Sequence, residues 1–195
     1  MNDIEEMHKA RRKRRRIRRT VTVLGFLLFS TGMAWFFESQ ATTTVIVTRY
    51  ADKSLAASDD PGLSARGRER SRELARVLGD VDVVAGVDAI FVAPLRRTVE
   101  TSVPLATKNG APVHTIEDPE DVEALELRIL EEYKGKIVLV ITEPELMQPL
   151  IAEMHGSKKL PEIGASEHDN LYILSIPWFG KVKTLRLRYG VPYVP

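Results

Sequence analysis

From Thr42 onward the chain alternates short apolar, β-branched runs with longer stretches whose apolar residues recur at helical spacing. Residues 43–48 are β-branched and apolar and residues 137–142 a continuous apolar run, as strands of a parallel sheet covered on both faces require, and residues 87–92 form a further strand between them. A shorter strand is expected at 112–116, and two more at 171–176 and 184–188. In the last, Leu185, Leu187 and Tyr189 alternate with Arg186 and Arg188, the pattern of an edge or hairpin strand. Between the strands the spacing predicts helices. One is capped by Ser64 and runs to about residue 78, where Gly79 ends it, with Leu74, Val77 and Leu78 facing inward. The others cover 95–108, closed by Asn109-Gly110, then 119–133 with Pro119 in its first turn, and 144 to about 155. Asp59-Asp60-Pro61-Gly62 is a turn cluster, and 156–170 is expected to be a surface loop. Strands alternating with helices predict an α/β fold, a three-layer α/β/α arrangement around a mostly parallel sheet.

The region before Thr42 is of another kind. Residues 20–37 carry no charge, and eighteen residues at helical rise extend about 27 Å, enough to cross a hydrocarbon core with little tilt. Arg11-Arg12-Lys13-Arg14-Arg15-Arg16-Ile17-Arg18-Arg19 flanks this run on one side, and Trp35-Phe36-Phe37 on the other. By the positive-inside rule the basic flank stays in the cytoplasm, where it also meets anionic lipid. The expected organisation is a basic cytoplasmic tail at 1–19, a single transmembrane anchor at 20–37, a linker at 38–42 and a body at 43–195 that is periplasmic or otherwise extracytoplasmic. A cleaved signal peptide is the competing reading, because Ser39-Gln40-Ala41 resembles a cleavage site. The apolar run is longer than the 7 to 15 residues usual for such a segment. Arg18-Arg19 alone is a weak twin-arginine signal.

Charge sharpens this division. Residues 1–19 hold nine Lys/Arg against three acids, whereas residues 38–195 hold nineteen against twenty-four. A body with that balance offers no basic face for nucleic acid, so nucleic-acid binding is not expected. The chain has no cysteine, which excludes disulfides and thiolate chemistry. No His/Asp/Glu spacing forms a metal motif, and no cofactor is expected.

In an open parallel sheet ligands gather at the carboxyl ends of the strands. Three such ends carry polar residues here: Arg49, Tyr50, Asp52 and Lys53 after the first strand, Arg96 and Arg97 after the second, Thr142 and Glu143 after the fourth. Two arginines at neighbouring strand ends can each present a fork of donors to an anion, so Arg49 and Arg97 are the candidate phosphate-binding pair.

Several motifs strengthen that reading. Val45-Ile46-Val47-Thr48-Arg49-Tyr50-Ala51-Asp52-Lys53 resembles the first strand and signature of the histidine phosphatase superfamily, the phosphoglycerate mutase-like proteins. Leu63-Ser64-Ala65-Arg66-Gly67 is similar to its entry into the first helix, and Ala93-Pro94-Leu95-Arg96-Arg97-Thr98-Val99-Glu100-Thr101 to its Ser-x-Leu-x-Arg-Ala-x-Gln-Thr element. Ser166-Glu167-His168-Asp169-Asn170-Leu171-Tyr172 resembles a late segment of small exported members. The resemblance spans about residues 43–189 and implies a phosphoglycerate mutase-like fold, with the phosphate arginines at Arg49 and Arg97. It also implies two catalytic histidines, whose positions are held here by Tyr50 and Glu143, with Thr142 in place of an adjoining glycine.

Those two replacements set the functional expectation. Covalent phosphoryl transfer needs a nucleophile that is unprotonated near neutral pH; imidazole titrates near 6.5 and phenol near 10. Glu143 would repel a phosphate dianion, by about 4 kcal/mol per unit charge at 4 Å and an effective dielectric of 20. It could instead pair with the arginines and fill the place of the substrate. The expected function is a membrane-anchored pseudophosphatase acting as a binding or scaffold module, possessing no confident catalytic residue and taking a phosphate-containing ligand or a protein partner. The alternative is an active phosphomonoester hydrolase with altered machinery, built on Tyr50 or a displaced histidine. Asp52, Lys53, Thr142 and His168 are the further pocket candidates.

Overall fold

The structure is a computed structural model that describes residues 2–39, 42–79, 86–164 and 166–191. The chain divides into two compact units, Met1–Ala41 and Thr42–Pro195. The first is one helix, α1 (Asn2–Ser39), so residues 38 and 39 continue the helix where a linker was expected. Within it Lys13–Phe36 is long and apolar enough to cross a membrane, with none of its side chains buried by protein. Gln40 and Ala41 of the candidate cleavage site, and the side chain of Phe37, lie outside the described residues.

The second unit carries a six-stranded sheet in the order β3-β2-β4-β1-β5-β6. Its elements are β1 (Thr43–Arg49), α2 (Ala65–Leu78), β2 (Ala89–Val92), α3 (Arg96–Asn109), β3 (Val113–Thr115), α4 (Val122–Glu132), β4 (Ile137–Thr142), α5 (Pro144–Glu153), β5 (Asn170–Ile176) and β6 (Lys183–Arg188). The first four strands pair in parallel, while β5 runs antiparallel to β1 and β6 antiparallel to β5. The alternation read from residues 184–188 therefore belongs to an edge hairpin, as expected.

Side-chain alternation divides the core between the two faces of the sheet. Val45, Val47, Phe91, Val138 and Val140 pack with Leu125 and Ile129 of α4 and with Met147, Leu150 and Ile151 of α5. Ile46, Ile90, Leu139 and Ile141 face the other way, onto Leu74, Ala75 and Leu78 of α2 and Leu105 of α3. This is the three-layer arrangement, with a core of its own in the second unit.

Local chemistry fixes the helix ends. Ser64 accepts a hydrogen bond from the Gly67 amide at 3.0 Å, capping α2 as the sequence predicts. Gly110 closes α3 in the left-handed region at φ 67°, which costs glycine least. The helix expected from Pro119 begins three residues later, because Asp121 takes the cap by accepting from the Ala124 amide and Pro119 falls in the preceding turn.

Chain direction creates the crevice. From β1 the chain leaves over the α2 and α3 face towards β2, whereas from β4 it leaves through α5 on the opposite face towards β5. The adjacent carboxyl ends of β1 and β4, at Arg49 and Thr142, are thus the point where the connections diverge.

One glycine is required for α2 to reach this end of the sheet. A Cβ at Gly67 would collide with the backbone carbonyl of Asp52, the same oxygen that accepts from the Ser64 amide at 2.9 Å and the Ser64 hydroxyl at 3.0 Å. We expect Gly67→Ala to destabilise the body (residues 42–195) by about 1–3 kcal/mol, the usual cost of overpacking, read as a lowered midpoint in denaturant unfolding with unchanged slope.

Candidate functional site

Arg49 is the last residue of β1, and its side chain turns back beneath the loop that precedes β5. One terminal nitrogen, Nη1, donates to the carbonyls of Gly164 and Glu167, both at 3.2 Å, and the other, Nη2, lies 3.4 Å from the Tyr50 hydroxyl. Arg97, in the first turn of α3, reaches the same tyrosine from another element. The two guanidinium carbons stand 5.0 and 4.6 Å from the centroid of the Tyr50 ring, within cation–π range. Tyr50 is 6% exposed, so its ring fills space beside both arginines.

Glu143 follows β4 and stands at the N-terminus of α5, with Pro144 opening the helix. Its carboxylate accepts from Arg97 Nη2 at 2.7 Å. Arg97 Nη1 also lies 3.5 Å from Asp60, which in turn accepts from the Arg96 amide at 2.8 Å. Arg97 is therefore held by two carboxylates and an aromatic ring, with its side chain only 12% exposed. The pairing of Glu143 with a candidate phosphate arginine was legible from strand-end positions. Asp60 was not: its turn cluster signals only a change of direction.

Of the further candidates, His168 comes into the site and two others do not. His168 is 8% exposed and its Nδ1 lies 3.0 Å from the Tyr50 carbonyl oxygen. A carbonyl only accepts, so Nδ1 carries the hydrogen, and in the neutral ring Nε2 holds the lone pair. Burial pushes the imidazole below its ordinary pKa; the bond to the Tyr50 carbonyl and the Asp52 charge oppose this, the Arg49 and Arg70 charges reinforce it, and the net direction is down. His168 is held by its neighbours. Glu167 accepts from Arg186 at 2.6 Å and Arg188 at 2.5 Å, and Asp169 accepts from Arg188 at 2.9 Å, so two arginines of β6 clamp the segment that carries it.

Asp52 points away from the crevice. It accepts from Arg70 at 2.7 Å and lies 3.4 Å from Arg66, tying the loop after β1 to α2. Burial raises its pKa, but the Arg70 hydrogen bond and charge outweigh that and leave it below the ordinary carboxylate value. Thr142 is buried opposite Arg49 in the β1–β4 register and does not line the crevice. Both had been expected in the pocket; each sits one step into the scaffold, Asp52 because of Arg70 and Thr142 because β4 extends through it.

The open crevice has a volume of about 910 Å³. Arg49, Tyr50, Lys53 and His168 form one side, and residues of α5 and of the 160–163 segment, including Gln148, Pro149, Leu160 and Ile163, form the other. Arg97 and Glu143 are not among its lining residues. Arg49 thus forms part of the cavity wall although only 3% of it is exposed.

Comparison with known proteins bears on the fold. Residues 47–127 match the family model of the histidine phosphatase superfamily (branch 1). No curated protein matches the chain in sequence. Among solved structures, the protein histidine phosphatase SixA complexed with tungstate superposes with a TM-score of 0.60 at 20% identity, over 74% of this chain and 96% of that one. A mycobacterial glucosyl-3-phosphoglycerate phosphatase gives 0.55 at 17% identity, over 69% and 90%. A mycobacterial hydrolase gives 0.57 at 16% identity, over 78% and 100%. The match to the histidine phosphatase superfamily covers residues 47–127, and the second unit has the phosphoglycerate mutase-like fold.

The titrating groups predict a two-stage loss of stability in acid. A histidine whose folded pKa is depressed binds fewer protons folded than unfolded, so its contribution is complete above about pH 6.5 and declines as pH falls below it. Asp52, Glu100 and Glu167 are also depressed, and their contribution is lost only below about pH 4. Urea unfolding of the body should show a decline beginning near pH 6.5 that is absent in His168→Gln, with the lower one kept in both.

Proposed function

We propose that the protein is a membrane-anchored member of the histidine phosphatase superfamily whose body is a binding or scaffold module without phosphatase turnover. In this reading α1 spans the membrane once, its basic end is cytoplasmic, and the body is extracytoplasmic. The observation that carries it is the Arg97–Glu143 bond of 2.7 Å, supported by Asp60 at 3.5 Å. A buried guanidinium already paired with carboxylates has lost most of its attraction for an incoming phosphate, and Glu143 adds repulsion. Tyr50, in the position the resemblance gives to the phosphoryl acceptor, packs against the guanidiniums where a neutral imidazole would be needed. A structural neighbour solved in complex with tungstate supports an oxyanion as the ligand class of this fold. In this chain Arg49, itself only 3% exposed, and Lys53 contribute the basic side chains that line the open crevice. The ligand class is an anionic group, phosphate or carboxylate, carried by a small molecule or a protein partner.

A second reading has one observation in its favour. His168 presents a neutral imidazole to the crevice with Nδ1 fixed by a carbonyl, the tautomer in which Nε2 can attack phosphorus or accept a proton. An active phosphomonoester hydrolase would then use His168 in place of the histidines replaced by Tyr50 and Glu143.

Hydrolysis of p-nitrophenyl phosphate by the body separates the two. The binding reading predicts no turnover by the natural sequence, and turnover gained by the Tyr50→His/Glu143→His double variant. Turnover by the natural sequence that is lost in His168→Gln would establish the second reading instead, and loss in Tyr50→Phe would assign the phenol. The ion pair makes its own prediction: Glu143→Gln should tighten inorganic phosphate binding by about tenfold, about 1.4 kcal/mol, through release of Arg97.

A further inference from the structure

The β5–β6 hairpin ends in a group of side chains that the crevice does not use. Its turn is Pro177-Trp178-Phe179-Gly180, followed by Lys181, Val182 and Lys183. Trp178 is 56% and Phe179 84% exposed, and among the described residues of the second unit they are the exposed large aromatic side chains. Val182 packs inward on the core, which anchors the base of the turn, while Lys181 and Lys183 are exposed beside the aromatics. Exposing two adjacent aromatic rings to water forfeits burial that an interface would provide.

Strand register shows which end of the sheet carries this turn. Thr43 pairs with Ile176, and Ser175 with Lys183, so the turn lies beside the first residue of β1 and at the opposite end from Arg49. The loop carrying Lys134 and Lys136 also lies at this end, because Ile137 pairs with Thr44; Lys136 is 3.5 Å from Asp88 and Lys134 is exposed. The chain enters β1 at this same end, since Thr43 is its first residue. Only residues 40–42 separate Ser39 from Thr43, a contour of at most about 14 Å.

From this placement we infer that the Trp178–Phe179 turn is an interfacial membrane contact: the two rings enter the headgroup region of the leaflet from which α1 emerges, and Lys181, Lys183 and Lys134 meet anionic headgroups around them. Tryptophan beside lysine is the composition that settles at a bilayer surface, with the ring at the apolar boundary and the ammonium in the headgroups. The short connection keeps the turn within reach of that surface, so the contact is effectively intramolecular. The inference rests on the reading of α1 as a membrane span, and the experiment tests the two separately.

Trp35 and Trp178 are the two tryptophans of the chain, so Trp35→Phe leaves Trp178 as the sole reporter and Trp178→Phe leaves Trp35. Each full-length variant is placed in nanodiscs of phosphatidylcholine and phosphatidylglycerol in equal parts, with and without lipid brominated near the ester. The expected result is that Trp178 emission is blue-shifted, quenched by the brominated lipid and protected from iodide. Lys181→Glu/Lys183→Glu should abolish the lipid quenching of Trp178 and leave that of Trp35 intact. Trp178 open to iodide and untouched by brominated lipid, with Trp35 still quenched by lipid, would overturn the contact and leave the span. Loss of lipid quenching at both positions would overturn the span and the contact together. Protection of Trp178 from iodide without lipid quenching would mean that a second copy covers the turn, and would also overturn the inference.

Discussion

The arrangement at the crevice depends on how Arg97 spends its charge. It comes from the first turn of α3 with a side chain nearly sealed from water, and a sealed guanidinium must find anions or pay heavily for its burial. Glu143 and Asp60 supply them, and the face of Tyr50 takes up the rest of the contact. Three elements meet through this one side chain: the loop before α2, the start of α3 and the start of α5. Neutralising it locally holds them together and closes the half of an oxyanion site that would lie between two arginines. Arg49 is placed differently, bonded to the Gly164 and Glu167 carbonyls while still forming part of the crevice wall.

The site is layered, and its outer layer is as determined as its inner one. His168 and Arg49 take their positions from Gly164 and residues 166–169, and the latter are gripped by Arg186 and Arg188 through Glu167 and Asp169. The edge strand β6 thus acts on the crevice from two strands away. Its exposed arginines are structural, and their partners are buried carboxylates, Glu167 at 5% and Asp169 at 0% exposure.

The fold was largely legible because its determinants are local. Continuous β-branched runs announce doubly covered strands, Ser64 and Gly110 mark helix ends, and Leu185, Leu187 and Tyr189 against two arginines mark an edge. Helix starts were less so: Asp121 displaced Pro119 because a side-chain acceptor for the Ala124 amide outweighs a preset φ. In the site, residues at strand ends could be placed from sequence, and Arg49, Tyr50, Arg97 and Glu143 do converge. Asp60, Asp52 and His168 sit in loops, where position depends on distant partners. Asp52 is turned aside by Arg70 eighteen residues on, and His168 is brought to Tyr50 across 118 residues. Such contacts leave no periodic trace in the chain.

The central claim is that Arg97 belongs to Glu143 and is not offered to a ligand. A crystal structure of the body soaked in tungstate tests it most directly. The account predicts that the Arg97–Glu143 bond persists and that any bound oxyanion contacts Arg49 from the crevice side alone. An oxyanion bridging Arg49 and Arg97, with Glu143 swung out to solvent, would contradict it.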